Sequence, residues 1–143
     1  VDTFFKVCSL FQSDIEEYSI KVEISKKAEP FLITDLEYSF WISFLNIINN
    51  AVYWLKQKPS NRKITFSLSR DNSIVISNSG PPVPDDDIEL IFEYGVTHRK
   101  ERNATGLGLA FTRSILSLNG WNIKCENSDN GPAFIISKKS ENA

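Results

Sequence analysis

Phe44-Leu45-Asn46-Ile47-Ile48-Asn49-Asn50-Ala51-Val52-Tyr53-Trp54-Leu55 is the stretch on which the fold turns. It reads as an apolar helix interrupted by amides. Asn46 and Asn50 are four apart, so a helix stacks them on one face. Phe40, Phe44, Ile47, Ile48, Ala51 and Leu55 fill the adjoining face, which must pack on a sheet or another helix. Asparagine competes with its own backbone for hydrogen bonds and is a mediocre helix former. Two such residues inside an apolar helix need a reason. Neutral amide oxygens at this spacing can hold a hydrated divalent cation or a polar ligand without burying a charge. Alternatively they are core amides bonded to neighbouring backbone, and this helix taken alone favours that second reading.

The totals bound the answer. A chain of 143 residues suits a single domain, residues 1–143, with a sizeable core. Hydrophobic content of 41% and charged content of 24% are those of an ordinary globular protein. No apolar run approaches the roughly 20 residues of a membrane span, so no membrane contact is expected. The chain begins at Val1, has no methionine and shows no signal-peptide pattern, which points to a piece of a longer protein. A net charge of −2 gives no basic footprint for nucleic acid. Cys8 and Cys125 sit in apolar surroundings and read as buried free thiols, in keeping with a reducing, cytoplasmic setting.

Outward from the long helix the pattern is clear. Residues 3–17 carry Phe4, Val7, Cys8, Phe11 and Ile15 at helical spacing. Ser19–Ser25 alternates as a strand. A turn at Lys26, Lys27, Glu29 and Pro30 leads to a short strand, Phe31-Leu32-Ile33. Asp35 is placed to cap the long helix, which runs to about Lys58 before Pro59-Ser60-Asn61 breaks it. Lys63–Arg70 and Ile74-Val75-Ile76, turned by Asp71-Asn72, form a hairpin. A rigid loop follows, Ser77-Asn78-Ser79-Gly80-Pro81-Pro82-Val83-Pro84. Asp85-Asp86-Asp87 opens a short helix through Phe92, where the helix dipole favours acid. From about 93 to 105 the periodicity vanishes among charges, which predicts a mobile loop. A helix then runs from Gly106 to Leu118, with Asn119-Gly120 as its C-cap. Strands Trp121–Asn127 and Ala133–Ser137 close the chain, and residues 138–143 read as frayed. The expected fold is α+β: a two-layer α/β sandwich with helices on one face of a mixed, mostly antiparallel sheet.

Glycines that open a helix let backbone amides approach a phosphate. One such pair is weak, yet here four motifs come in a fixed order. Leu45–Ala51 resembles the asparagine box of the GHKL superfamily of ATP-binding domains. Ile76–Pro84 resembles its first glycine box, Ile91-Phe92-Glu93-Tyr94-Gly95 its phenylalanine box, and Thr105-Gly106-Leu107-Gly108-Leu109 its second glycine box. The likeness is greatest to the histidine kinase catalytic domain (HATPase_c) and covers nearly the whole chain. It implies a Bergerat-type ATP-binding fold. It also implies the catalytic domain of a sensor-type protein histidine kinase of two-component signalling. Such a domain passes the γ-phosphate of ATP to a histidine on a separate dimerisation domain.

By that resemblance Asn50 holds Mg²⁺, and Asn46 lies near the phosphates; these two are the candidate catalytic residues. Asn78 occupies the place of an aspartate that accepts from the adenine amine, and Gly80 lets the base of ATP or ADP lie close. Tyr53 and Val83 belong to the same nucleotide surface. Thr105, Gly106, Leu107, Gly108 and Leu109 cradle phosphate. Residues 93–105 correspond to a nucleotide lid whose cations, Arg99 and Lys100 among them, either meet the triphosphate or are simply solvated surface.

The departures shape the chemistry. Asn78 is uncharged, and its NH₂ end adds a donor. Pro82 stiffens a position where the family has glycine, and Tyr53 stands where many kinases carry a lysine. Asn46 replaces the glutamate with which hydrolysing branches activate water, and an amide cannot act as a general base. Imidazole needs little activation as a nucleophile, so the balance tilts toward phosphotransfer. His98, the sole histidine, lies in the lid, so an acceptor belongs to another domain or protein. Two alternatives stay open: a nucleotide-binding regulatory module without phosphotransfer, and a GHKL-type ATPase.

Overall fold

The structure, a computed structural model, describes residues 2–25, 37–69, 73–93 and 108–139. Two short helices, α1 (Asp2–Ser9) and α2 (Gln12–Glu17), lead into strand β1 (Lys21–Ile24). The long helix α3 (Glu37–Lys56) is followed by β2 (Lys63–Leu68) and β3 (Ile74–Asn78). Two 3₁₀ turns, Asp85–Asp87 and Leu90–Phe92, precede α4 (Gly108–Leu118), β4 (Trp121–Ser128) and β5 (Gly131–Lys138).

The five strands lie in the order β1-β2-β3-β5-β4. β1 runs parallel to β2, and the other three pairings are antiparallel. A parallel pair needs a crossover, and α3 lies in the connection that makes it. β4 shows how one face is chosen: Trp121, Ile123 and Cys125 are buried while Asn122, Lys124 and Glu126 are exposed. Register carries that face across the sheet through Ile123↔Ile136, Cys125↔Phe134, Ile76↔Phe134, Phe66↔Ile76 and Ile64↔Asn78. Asn78 thus ends the same row that Ile74 and Ile76 begin, a polar group at the rim of an apolar face.

Onto this face α3 lays Phe40, Phe44, Ile47, Ile48, Ala51 and Leu55, all buried as their spacing requires. Phe4 of α1 is fully buried against Phe44 and Phe66, with ring centroids 6.2 and 4.5 Å away. The sheet's other face carries charged residues: Lys63 and Lys21 both clasp Glu23, at 2.7 and 2.9 Å, and hold its carboxyl below the usual carboxylate range. Cys8 and Cys125 are free and buried, as expected. Among the described residues no helix is long and apolar enough to cross a membrane.

Four local expectations need correction. The helix predicted over 3–17 is broken at Leu10-Phe11, where Leu10 N–H and Phe11 N–H bond back to Val7 and Cys8 in tight turns. The helix after Ser77–Pro84 is two 3₁₀ turns, too short for a full α-helical turn. The long helix stops at Lys56: Gln57 and Lys58 make i→i+3 bonds instead, and the Arg62 guanidinium takes the carbonyls of Leu55, Lys58 and Tyr18. Finally, Lys138 and Lys139 are not frayed, because Lys138 completes β5 and Lys139 bonds Gly120 O and Ser117. The expected strand Phe31–Ile33, the Asp35 cap, the Asp71-Asn72 turn and residues 94–105 lie outside the described residues.

Candidate functional site

Helix α3 is the spine along which the polar residues are distributed. Near its start Ser39 Oγ accepts from Asn119 Nδ2, just past the end of α4, at 2.8 Å. Near its middle Asn46 reaches Gly108, the first residue of α4. The two helices therefore run in opposite senses, and the glycine-opened end of α4 comes to Asn46, one turn from Asn50. Asn46 Nδ2 donates to Gly108 O and to Thr112 Oγ1, each at 2.9 Å, and the Thr112 hydroxyl donates to the same carbonyl. A Cβ on Gly108 would lie 3.4 Å from Asn46 Oδ1, an ordinary contact.

One turn on, Asn50 is half-buried, and its amide has no hydrogen-bond partner among the described residues. One turn further, Trp54 stands half-buried beside the loop after β3. A Cβ on Gly80 would meet Trp54 Cβ at 3.4 Å and Asn78 Oδ1 at 2.6 Å. Asn78 is buried and its Oδ1 accepts the Gly80 N–H at 2.8 Å, an Asx turn that fixes the loop. From Asn46 to Trp54 the rise along α3 is about 12 Å.

The loop is held from two more sides. Asn127 of β4 clasps the Val83 backbone, accepting its N–H at 2.9 Å and donating to its carbonyl at 2.7 Å. Gly131, at φ 115°, passes so close that a Cβ there would sit 2.1 Å from Asn78 O. Lys58 Nζ donates to Ser79 O at 2.6 Å. A shallow groove of about 930 Å³ borders the outer side of this loop, reaching Lys58, Asn78, Ser79, Gly80 and Ser128, but touches neither carboxamide of α3.

Of the candidate residues, the structure brings Asn46 to Gly108 and Asn78 to Gly80, with Asn50 between the two groups on α3. Val83 lies against the core, its backbone held by Asn127; Leu109 also packs against the core. Tyr53 is buried, its ring edge-on to Trp54 at 5.0 Å. Arg99, Lys100, Thr105, Gly106 and Leu107 lie outside the described residues. Sequence reasoning gave no role to Thr112 or Asn127, and reads Gly131 only as part of the turn over 128–132 that joins the last two strands. The Asn130-Gly131 pair was the one available signal, since an Asn-Gly step marks a turn that needs glycine. Asn127 and Thr112 act over separations of 44 and 66 residues, which no local pattern announces.

The geometry has close counterparts. The family described as Histidine kinase-, DNA gyrase B-, and HSP90-like ATPase (HATPase_c) matches residues 42–142. The probable sensor kinase SilS of Salmonella typhimurium is 28% identical over 115 residues, 76% of this chain but 22% of SilS, so the chain spans under a quarter of that relative. The mycobacterial sensor histidine kinase MprB shares the fold with a TM-score of 0.76 at 20% identity, over 94% of this chain and 90% of that one. The catalytic domain of histidine kinase ThkA superposes with a TM-score of 0.71 at 26% identity, over 94% and 88% of the two chains. A five-stranded mixed sheet under α3 and α4, joined by an amide on the glycine-opened helix, is therefore the HATPase_c fold, and this chain belongs to that family.

Proposed function

We propose that this chain is the nucleotide-binding catalytic domain of a sensor-type protein histidine kinase. It presents the γ-phosphate of a magnesium-bound nucleoside triphosphate, ATP by the family resemblance, to a histidine on a separate helical dimerisation domain. The observation that carries the reading is the bond from Asn46 to the first carbonyl of α4. It sets the glycine-opened helix end beside Asn50, whose amide has no protein partner among the described residues.

The residues fit a magnesium ion. No group of three or more His, Cys, Asp or Glu side chains gathers among the described residues, so these residues offer the ion little charge of their own. Magnesium keeps waters and takes substrate phosphates, needing only one or two protein oxygens, and Asn50 Oδ1, without a partner among the described residues, is placed to be one. Bound there, the ion would neutralise phosphate charge. Asn46 spends its NH₂ on Gly108 and Thr112 and cannot take a proton, which disfavours water activation and a hydrolase. Trp54, Asn78 and Gly80 form the base end. Arg99, Lys100, Thr105, Gly106 and Leu107 complete the phosphate side in this reading. Nucleotides and two unbridged thiols suit a cytoplasmic setting. ThkA has been captured with the response regulator TrrA, and we assign a phosphorelay partner of that kind to the parent protein.

The test mixes the chain with γ-labelled nucleotide, magnesium and the helical hairpin of its parent protein. Acid-labile label on the hairpin is expected. Tight nucleotide binding with no transfer would leave a regulatory module instead, and steady phosphate release by the chain alone would restore the ATPase reading.

A further inference from the structure

The Asn78 amide is only half used. Its Oδ1 accepts the Gly80 N–H at 2.8 Å. That contact fixes which end of the amide is oxygen, since the reversed group would set donor against donor. The side chain is 5% exposed, and its Nδ2 has no partner among the described residues. A buried N–H left unmade is costly, so the site calls for an acceptor. A carboxylate here would offer a second oxygen and take an amine. The carboxamide offers the opposite. The 6-position of a purine is where the two differ: adenine carries an N6 amine, a donor, whereas guanine carries O6, an acceptor. Among the described residues nothing else at this end offsets the change. Gly80 brings only backbone, Trp54 a half-buried indole with no hydrogen-bond acceptor, and Lys58 is spent on Ser79 O and Asn61 O.

We propose that this site selects a 6-oxo purine nucleotide over an adenine nucleotide, with Asn78 Nδ2 donating to the base carbonyl. The proposal rests on the reading of Asn78–Gly80 as the base end of the nucleotide site.

Inosine triphosphate is the cleanest probe, because it differs from ATP only in carrying a 6-carbonyl and an N1–H in place of the 6-amine. Calorimetry on the 143-residue chain with magnesium should give inosine triphosphate at least about tenfold tighter binding than ATP, the scale of one mispaired buried donor. Asn78→Asp should reverse the order. In ¹⁵N-labelled protein the Asn78 side-chain NH₂ resonances should move with inosine triphosphate and not with ATP. ATP binding as tightly as inosine triphosphate, or more tightly, overturns the selectivity and leaves the nucleotide site standing. Neither nucleotide binding overturns both. Should Asn78→Asp fail to fold, the wild-type affinity ratio and the NH₂ shifts decide alone.

Discussion

The two ends of the candidate site are built in opposite ways. At the β3 loop four backbone positions are closed by the protein itself: Gly80 by Asn78, Val83 by Asn127, Ser79 by Lys58, and the Asn78 carbonyl by Gly131. At the start of α4 one side chain, Asn46, makes the tie, and Asn50 beside it makes none among the described residues. The first end is preformed, so in the proposed reading a flat base would meet a surface that needs no ordering. The second would be completed by a ligand whose own charge and metal supply what the described residues do not. In that reading rigidity sits where recognition is by shape and a single hydrogen bond, and open valence where the ligand is ionic.

Substitutions can break that contrast, and the largest effect should come from the preformed end. Gly131→Ala puts a Cβ 2.1 Å from Asn78 O at a positive φ, so it should cost about 3 kcal/mol or more of stability and loosen the loop. Urea unfolding measures it, and a loss below about 1 kcal/mol would show that the loop is not closed from that side. At the open end the same experiment should give the reverse result. Asn50→Ala should leave stability within about 0.5 kcal/mol, having no protein bond to lose. Nucleotide affinity in magnesium should nevertheless fall by about 10- to 100-fold, with little change in EDTA. An equal loss with and without the metal would remove Asn50 from the ion.

Asn46→Ala lies between these extremes. It deletes two donations at 2.9 Å and should cost about 1 kcal/mol, read as a lowered Tm. An unchanged Tm would mean that α4 is held by packing alone. A further effect is electrostatic and belongs to neither end. Burial pushes both the Cys8 and Cys125 thiols up, from 9.0 to about 11. A folded-state pKa above the unfolded one favours the folded state's proton. Stability from this source is therefore complete below about pH 9 and declines as pH rises toward 11. Denaturation midpoints between pH 7 and 10.5 should show the decline begin only above 9, and Ellman's reagent should not react with the folded chain at pH 7.5.

Much of this was legible because it is periodic. The α3 pattern placed its apolar row on the sheet and its carboxamides on one side, and alternation in β2, β3 and β4 chose the buried face. The order of the four motifs then named the fold. What escaped was aperiodic and distant. The break at Leu10-Phe11 comes from turn bonds that interrupt an unbroken helical spacing. Lys138 and Lys139 looked like a polar tail, yet strand pairing and Ser117 hold them. The Asn127 clasp joins backbone to a side chain on another element, a contact set by sheet register rather than by composition.

The stacking of Phe4 has a practical consequence for where the domain ends. The family match begins at residue 42, but this ring is wholly enclosed between Phe44 and Phe66, and Tyr18 lends its carbonyl to Arg62. A chain trimmed to the span of the family match would therefore bare the centre of its own hydrophobic interior. That span is shorter than the folding unit, and expression boundaries drawn from it would leave a sticky, poorly packed product.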